Sequence, residues 1–483
     1  MEFDLKDLNE HVEEAVKRGE LSRRDALKIF AFASAGLSVN AFAEDNATDA
    51  NATAPAKPKV STDARIVIIG GGGGGITVAA RLKKAIDNPN ITIIEPSEKH
   101  IYQPGQTLVG GGIMALDDLI KNEADVMPSD IKWVKESVTA INPDANSVTT
   151  DKGQTIAYDY LVVAAGLQYN FDKVKGLTAD MIGKDGIHCI YVADKTPAMW
   201  EAMQSFKQGT ALFTNPSTPI KCGGAPQKIM YLTEDYIRTN GGRDKVKIKF
   251  MTAGGKYFGV PEYHAAVEEL IKPKEIETAW KHDLVEIKSA EKIAVFEKTT
   301  KVKVFDKDLG EEIEEEKKEL VEEKYDLIHI VPPMSPVEVV RTSTLVNGKG
   351  WMHVDPQTLQ SLKYPNVFGI GDLIGTPFGK TGGSVRKQAP VLVKNMVALM
   401  TGKEMEGKYT GYTVCPLITR RGRVLLAEFG YDKEQVEKKE PITKPMMMPS
   451  FPLDPAKERW IWWLMKVYLL KPMYWYGMLK GLA

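Results

Sequence analysis

The stretch ARIVIIGGGGGGITVAARLKKAIDNPNITIIE, Ala64–Glu95, decides the fold. ARIVII is a β-branched run of strand make-up, and six consecutive glycines, Gly70 to Gly75, follow it. ITVAARLKKAI then has helix composition, and a second strand, ITII, ends at Glu95. Within the glycines, Gly70, Gly72 and Gly75 give the G-x-G-x-x-G spacing of a dinucleotide turn. The first makes the tight turn, the second lets backbone approach a pyrophosphate, and the third lets helix lie close on strand. Gly74 sits in the same turn and is counted with them as a cofactor contact. The free N–H groups and positive dipole end of the helix would face the phosphates. Glu95, about twenty residues further on, is placed to accept a ribose hydroxyl. A glycine-rich turn in an ordinary βαβ unit is the competing reading, and the strand–turn–helix–strand–acid order favours the nucleotide.

Working outward, 483 residues are enough for two or three domains. A 43% apolar share builds a large core, and a net charge of −1 gives no reason to expect nucleic acid. The expected class is α/β: two Rossmann-like units over 64–180 with 331–410 and over 181–330, followed by a C-terminal region at 411–483. Upstream, SRRDALK at Ser22–Lys28 precedes a short apolar run and AFA at Ala41–Ala43. That is the order of a twin-arginine export signal over 1–43, which implies a peripheral protein on the periplasmic face of a bacterial inner membrane. Residues 44–63 are rich in Asn, Ala, Thr and Pro and read as a disordered tether.

Downstream, YLVVAAG, Tyr160–Gly166, and YPNVFGIGD, Tyr364–Asp372, read as buried parallel strands stopped by glycine. Gly371 allows close approach, and Asp372 can reach a ribityl hydroxyl or a phosphate-bound water. The helix after it, from about Thr381 to Met400, would aim its N-terminus at the ligand, with a kink at Pro390. Three strand-to-glycine junctions sharing one ligand suit FAD, which must be held at both ends. A second βαβ unit begins at GTALFTNPST, Gly209–Thr218, but its turn reads TPIKCGGAPQKIM. It lacks the glycine spacing for a second pyrophosphate, which implies a lost nicotinamide site and disfavours an NADH:quinone reductase. Glu291–Tyr325 reads as a charged surface hairpin.

The three cysteines are too few for a disulfide scaffold. Cys222 stands at a helix start with Lys221 and Lys228 near it, a setting that lowers thiol pKa. Cys415 lies in GYTVCPL, after the helix that returns from the flavin turn. Two readings of the pair stand: a redox-active disulfide beside the flavin, or a structural disulfide of an oxidising compartment. Cys189 in GIHCIYV reads as a buried small hydrophobe.

GGGGGGITVAAR, EPSEKHIYQP, TPIKCGGAPQKIMYL, VPPMSP, YPNVFGIGD and YTVCPL together resemble the sulfide:quinone oxidoreductase family, in its mitochondrial-like branch. The resemblance covers nearly all of the chain from Ala64. It implies non-covalent FAD, sulfide as substrate and membrane quinone as acceptor. It implies further that Cys222 adds to the flavin, while Cys415 is attacked by sulfide and carries the persulfide. By the same resemblance Gln103, Val138 and the run Lys380, Thr381, Gly382 and Gly383 contact FAD, with Lys380 placing positive charge near the flavin pyrimidine. An oligomer is compatible with it. One alternative is the flavoprotein subunit of a flavocytochrome c, which attaches flavin through an early cysteine; none occurs here before Cys189. Another is a flavoprotein docking module without turnover, against which the cysteine pair argues.

The tail, Ser450–Ala483, holds four of the eight tryptophans. Trp460, Trp463, Leu464 and Val467 follow i, i+3, i+4, i+7 and share one helical face. Pro472 would separate a second short helix. Both pieces are too short to span a bilayer and have the make-up of amphipathic helices lying in the membrane interface, where quinone would enter. Helices packed in the core are the alternative.

Overall fold

The computed structural model describes residues 59–306 and 311–482. The expected export signal lies outside the described residues. Of the expected tether, Val60–Ser61 is a short strand that pairs in parallel with Ile86–Asp87.

The chain opens with β1 (Arg65–Ile69), α1 (Gly73–Ala85), β2 (Asn90–Ile94), β3 (Lys132–Val134) and β4 (Tyr160–Val163). β1 and β2 are buried on both faces after their first residue, so their Ile/Val-rich composition suits strands sandwiched between layers. The chain then leaves to build a second unit from β5 (Ile187–His188), β6 (Gly209–Asn215), α2 (Ala225–Thr239), β7 (Val246–Thr252) and β8 (Ile276–Trp280). A hairpin extension follows as β9 (His282–Lys288), β10 (Ile293–Asp306) and β11 (Glu311–Lys324), before β12 (Leu327–His329) rejoins the second unit. The return to the first unit is β13 (Val367–Gly369) and α3 (Gly382–Met400), and the chain closes with β14 (Thr413–Arg420), β15 (Arg423–Tyr431) and β16 (Pro445–Met447).

Two five-stranded sheets result, in the orders β13-β4-β1-β2-β3 and β5-β12-β6-β7-β8, every pairing in both being parallel. Interleaved strand order with helical crossovers is the doubly wound arrangement, and it puts ligands at the carboxyl ends of the strands. β14, β15 and β16 form an antiparallel sheet. β10 and β11 pair along their whole length, with diagonal lysine–glutamate ion pairs such as Lys301–Glu314 and Lys303–Glu312, and the hairpin is solvated as expected.

The tail departs from expectation. Trp460–Lys480 is one continuous helical run with wide π-type turns at Met465–Leu469 and Met473–Gly477, and Pro472 lies inside it. A proline has no N–H to give the ladder, and a wide turn accommodates that gap instead of ending the helix. Trp463, Leu464 and Val467, expected at a lipid face, are buried against the protein, as are Trp462, Tyr474, Trp475, Met478 and Leu479.

Candidate active site

At the turn between β1 and α1, Gly70 has φ +101°, which a side chain would strain. A Cβ on Gly75 would lie 1.9 Å from the Gly70 carbonyl oxygen, so only glycine lets α1 sit this close. Around Gly72 there is open space, the side from which a pyrophosphate can approach. Glu95, at the end of β2, accepts Gly71 N–H at 2.7 Å and Ser97 N–H at 2.8 Å, and burial raises its carboxyl pKa. Gly70, Gly72, Gly74 and Glu95 line a cavity of about 1430 Å³. That exceeds the ~300–1,000 Å³ of an ordinary small-molecule site and leaves room for a dinucleotide and a second ligand.

The same cavity is bordered by Gly371 and Asp372 after β13, by Lys380, Thr381, Gly382 and Gly383 before and at the start of α3, and by Gln103. Thr381 caps α3, its hydroxyl accepting Ser384 N–H at 3.2 Å, so the helix N-terminus is set at the cavity wall. Burial raises the Asp372 carboxyl. Lys380 is brought down to about 7 by burial, and its ammonium donates to the carbonyls of Asp372 and Ile374, each at 2.7 Å, so its donors serve the loop's own backbone. The cation beside Gln103 is Lys221, whose Nζ donates to Gln103 Oε1 at 2.7 Å and to the Tyr169 hydroxyl.

Val138 is not on the cavity wall. It belongs to the strand Val138–Asn142, which pairs with Ser147–Thr150 through a register shift at Val138 in a separate antiparallel meander. Gly75 also stays off the wall and lets α1 pack on the turn after β1.

The two cysteines come together at the β6–α2 turn. Cys222 has φ +50°, uncommon for a residue with a Cβ, and its N–H donates to the Lys380 carbonyl at 2.8 Å. The β6–α2 turn is thereby tied to the α3 turn. Cys415, on β14, is buried behind Gly224, where an added Cβ would come within 2.6 Å of its sulfur. Cys222 borders the cavity and Cys415 does not. The hydrogen bond from Cys415 holds the Cys222 thiol well below its ordinary value, and the ammonium groups of Lys228 and Lys466 add to this against the cost of burial. That hydrogen bond, together with burial, pushes Cys415 well up. Lys228 Nζ lies 3.3 Å from the Cys222 sulfur; burial opposes its charge, but the two sulfurs outweigh it and its pKa is raised. Cys189 is fully buried, its thiol pushed up to about 11 by burial, and packs in the core as expected.

Sequence reasoning did not single out Lys466 or the trio Glu123, His100 and Tyr474, all of which border the cavity. Lys466 is buried, donates to the Pro104 carbonyl at 2.7 Å, and is brought down to about 7 by burial and by Lys228. Its signal was available: it is the one charged residue between Trp460 and Leu470. His100 and Glu123 carried no such local signal. Among the described residues there is no group of three or more His, Cys, Asp or Glu that could hold a metal ion.

A family model described as pyridine nucleotide-disulphide oxidoreductase matches residues 64–196. The mitochondrial sulfide:quinone oxidoreductase of Mus musculus is 40% identical over 420 residues, which is 86% of each chain. The chain belongs to the sulfide:quinone oxidoreductase family. The corresponding mitochondrial protein of Dictyostelium discoideum is 42% identical over 428 residues, 88% of each chain. The X-ray structure of the sulfide:quinone oxidoreductase from Aquifex aeolicus shares the fold, with a TM-score of 0.66 and 19% identity over 86% of this chain and 92% of that one. These relatives overturn the periplasmic expectation: the two of high identity are named mitochondrial, which points to a mitochondrial membrane rather than a bacterial one. FAD is the cofactor of this family. The residues fit it: an open glycine turn and the half-buried Glu95 carboxylate line the cavity together with the capped start of α3, which is tied to the Cys222 turn.

Proposed function

We propose that the chain carries out its family's transfer of electrons from sulfide to quinone through a disulfide formed between Cys222 and Cys415. One observation supports this above the rest: two cysteines from distant segments converge on Gly224 and Lys228, with Lys228 Nζ 3.3 Å from the Cys222 sulfur and a Cβ on Gly224 2.6 Å from the Cys415 sulfur, and Cys222 borders the cavity that the glycine turn lines. Hydrosulfide attacks the Cys415 sulfur, the sulfur–sulfur bond breaks, and Cys222 leaves as a thiolate. The position of Lys228 favours that direction, because its ammonium 3.3 Å from the Cys222 sulfur stabilises the departing thiolate. Lys228 stands beside the thiolate as it forms. A second nucleophile removes the outer sulfur of the Cys415 persulfide, leaving a thiolate there. The two thiolates then close to the disulfide and release two electrons. FAD, when bound, accepts that pair and passes it to quinone.

The tail is read as the quinone approach and the contact with the bilayer surface. Trp460, Ile461, Leu464 and Tyr468 line the cavity, while Leu453, Tyr476 and Leu482 are large apolar side chains left exposed on the same segment. No helix among the described residues is long and apolar enough to cross a membrane. The decisive experiment mixes the holoenzyme anaerobically with sulfide or with NADH and follows the visible flavin band. Bleaching by sulfide alone is expected; bleaching by NADH, or none by sulfide, overturns the reading. Flotation with lipid vesicles tests the tail: Leu453→Glu with Tyr476→Glu should leave the protein at the bottom of the gradient.

A further inference from the structure

Glu123 is 2% exposed, and one of its two carboxylate oxygens, Oε1, has no hydrogen-bond partner. A buried, unpaired carboxylate oxygen is costly, so the site is built to receive a donor. Its position says which one. A Cβ on Gly71 would lie 2.8 Å from Glu123 Oε1 and 2.7 Å from Glu95 Cγ, so the two carboxylates flank the glycine turn, and both border the cavity. The other oxygen, Oε2, is 3.0 Å from His100 Nδ1, and His100 Nε2 is 2.7 Å from the Tyr474 hydroxyl. With Glu123 ionised, His100 donates through Nδ1 and accepts the Tyr474 hydroxyl through Nε2. Tyr474 belongs to the tail and lies over the turn, 2.9 Å from where a Cβ of Gly73 would be.

We propose that Glu123 Oε1 is a second acceptor for the ribose hydroxyls of FAD beside Glu95, and that the tail holds it in place through Tyr474 and His100. Seating of the tail and retention of FAD are then one linked equilibrium. FAD satisfies the orphaned oxygen and fixes the carboxylate that anchors the tail, and an undocked tail leaves that carboxylate unheld. Linkage makes the effect reciprocal: whatever factor the docked tail adds to FAD affinity, FAD adds to tail docking.

The test uses full-length holoenzyme. FAD release after dilution is followed by the recovery of flavin fluorescence in wild type, Tyr474→Phe, Glu123→Gln, the double variant, and Lys480→Gln. The last alters an exposed side chain on the same segment that does not border the cavity. Release at least about 5-fold faster is expected for Tyr474→Phe and for Glu123→Gln, the lower end of ordinary site-to-site coupling. The double variant should be no faster than the worse single one, because both act through one carboxylate. Lys480→Gln should match wild type. In a second arm, needing no variant, chymotryptic cleavage after Tyr476 is timed with and without FAD, and FAD should slow it at least about 5-fold. Unchanged release in both single variants, additive effects in the double, or cleavage indifferent to FAD each overturns the linkage. If the variants fail to fold, the protease arm decides alone. A wild type that holds no FAD at all would instead overturn the cofactor itself.

Discussion

β1 and β6 are central strands of two parallel sheets of five, and each leads through a glycine-containing turn into a helix at the shared cavity. In the first turn, Gly70 to Gly75, backbone is kept bare: a Cβ at Gly75 would sit 1.9 Å from a carbonyl oxygen, while Gly72 faces open space. In the second, the position with left-handed backbone is Cys222, and the lysine one turn into α2 is Lys228, 3.3 Å from its sulfur. One βα junction thus presents N–H groups to a phosphate and the other a thiol held beside a buried cation. On the proposed reading, the same βα architecture holds a nucleotide in one unit and, with Cys415 brought in from β14, redox sulfur in the other. The largest test of that division is Cys222→Ser or Cys415→Ser. Sulfide-dependent quinone reduction should fall by at least about 10³-fold, as when one member of a catalytic unit is removed. The flavin-to-protein absorbance ratio should stay at the wild-type value, since the first turn is untouched. Loss of flavin along with activity would mean that the two turns are not separable.

Gly75→Ala probes the other side. Its new methyl must push α1 off β1, costing about 1–3 kcal/mol as overpacking and displacing the helix start that faces the phosphates. Protein with a lowered melting temperature and little bound flavin is expected. Full flavin content at normal stability would show that the close approach of α1 is not what makes the cradle.

How far these two turns could be read beforehand follows from their physics. The first is enforced by sterics within a few dozen residues, so Gly70, Gly72, Gly75 and Glu95 declare themselves by spacing. The second depends on Cys415 arriving from another strand of another sheet, which no local pattern encodes; family resemblance supplied the pairing. Val138 opens a strand of a separate antiparallel meander, and nothing local says to which sheet a short strand will pair. In the tail, helical periodicity identified an apolar face correctly but is silent on whether lipid or protein covers it. The lone charge at Lys466, buried beside the dithiol, argued for protein. The Glu123–His100–Tyr474 chain joins residues from opposite ends of the sequence and was legible only once folded.

Lys228→Met sharpens the account of the second turn. The hydrogen bond from Cys415 is the leading cause of the lowered Cys222 thiol pKa, and the Lys228 charge adds to it. Removing that cation withdraws support from the thiolate, so the thiol pKa rises and less thiolate is present at neutral pH. Alkylation of the reduced holoenzyme by iodoacetamide, measured against pH, should have its midpoint displaced upward relative to wild type, with slower flavin reduction by sulfide at neutral pH. An unmoved or downward midpoint would remove Lys228 from the role.

The smallest effect is expected at Gly223, and its smallness carries the contrast. Gly223 neighbours Cys222 in the second turn just as Gly71 and Gly72 follow Gly70 in the first, yet a Cβ there meets nothing within 4 Å. Its backbone is not among those with positive φ, so alanine brings no strain. Gly223→Ala should therefore leave the melting temperature and flavin content at wild-type values, and it should slightly stabilise the turn if it acts at all, by narrowing the unfolded ensemble. Paired with Gly75→Ala, it asks whether glycine is required in both turns or only where bare backbone must meet backbone and phosphate. A large loss of flavin or stability in Gly223→Ala would show that the second turn still depends on bare backbone, and the division of labour between the two turns would fall.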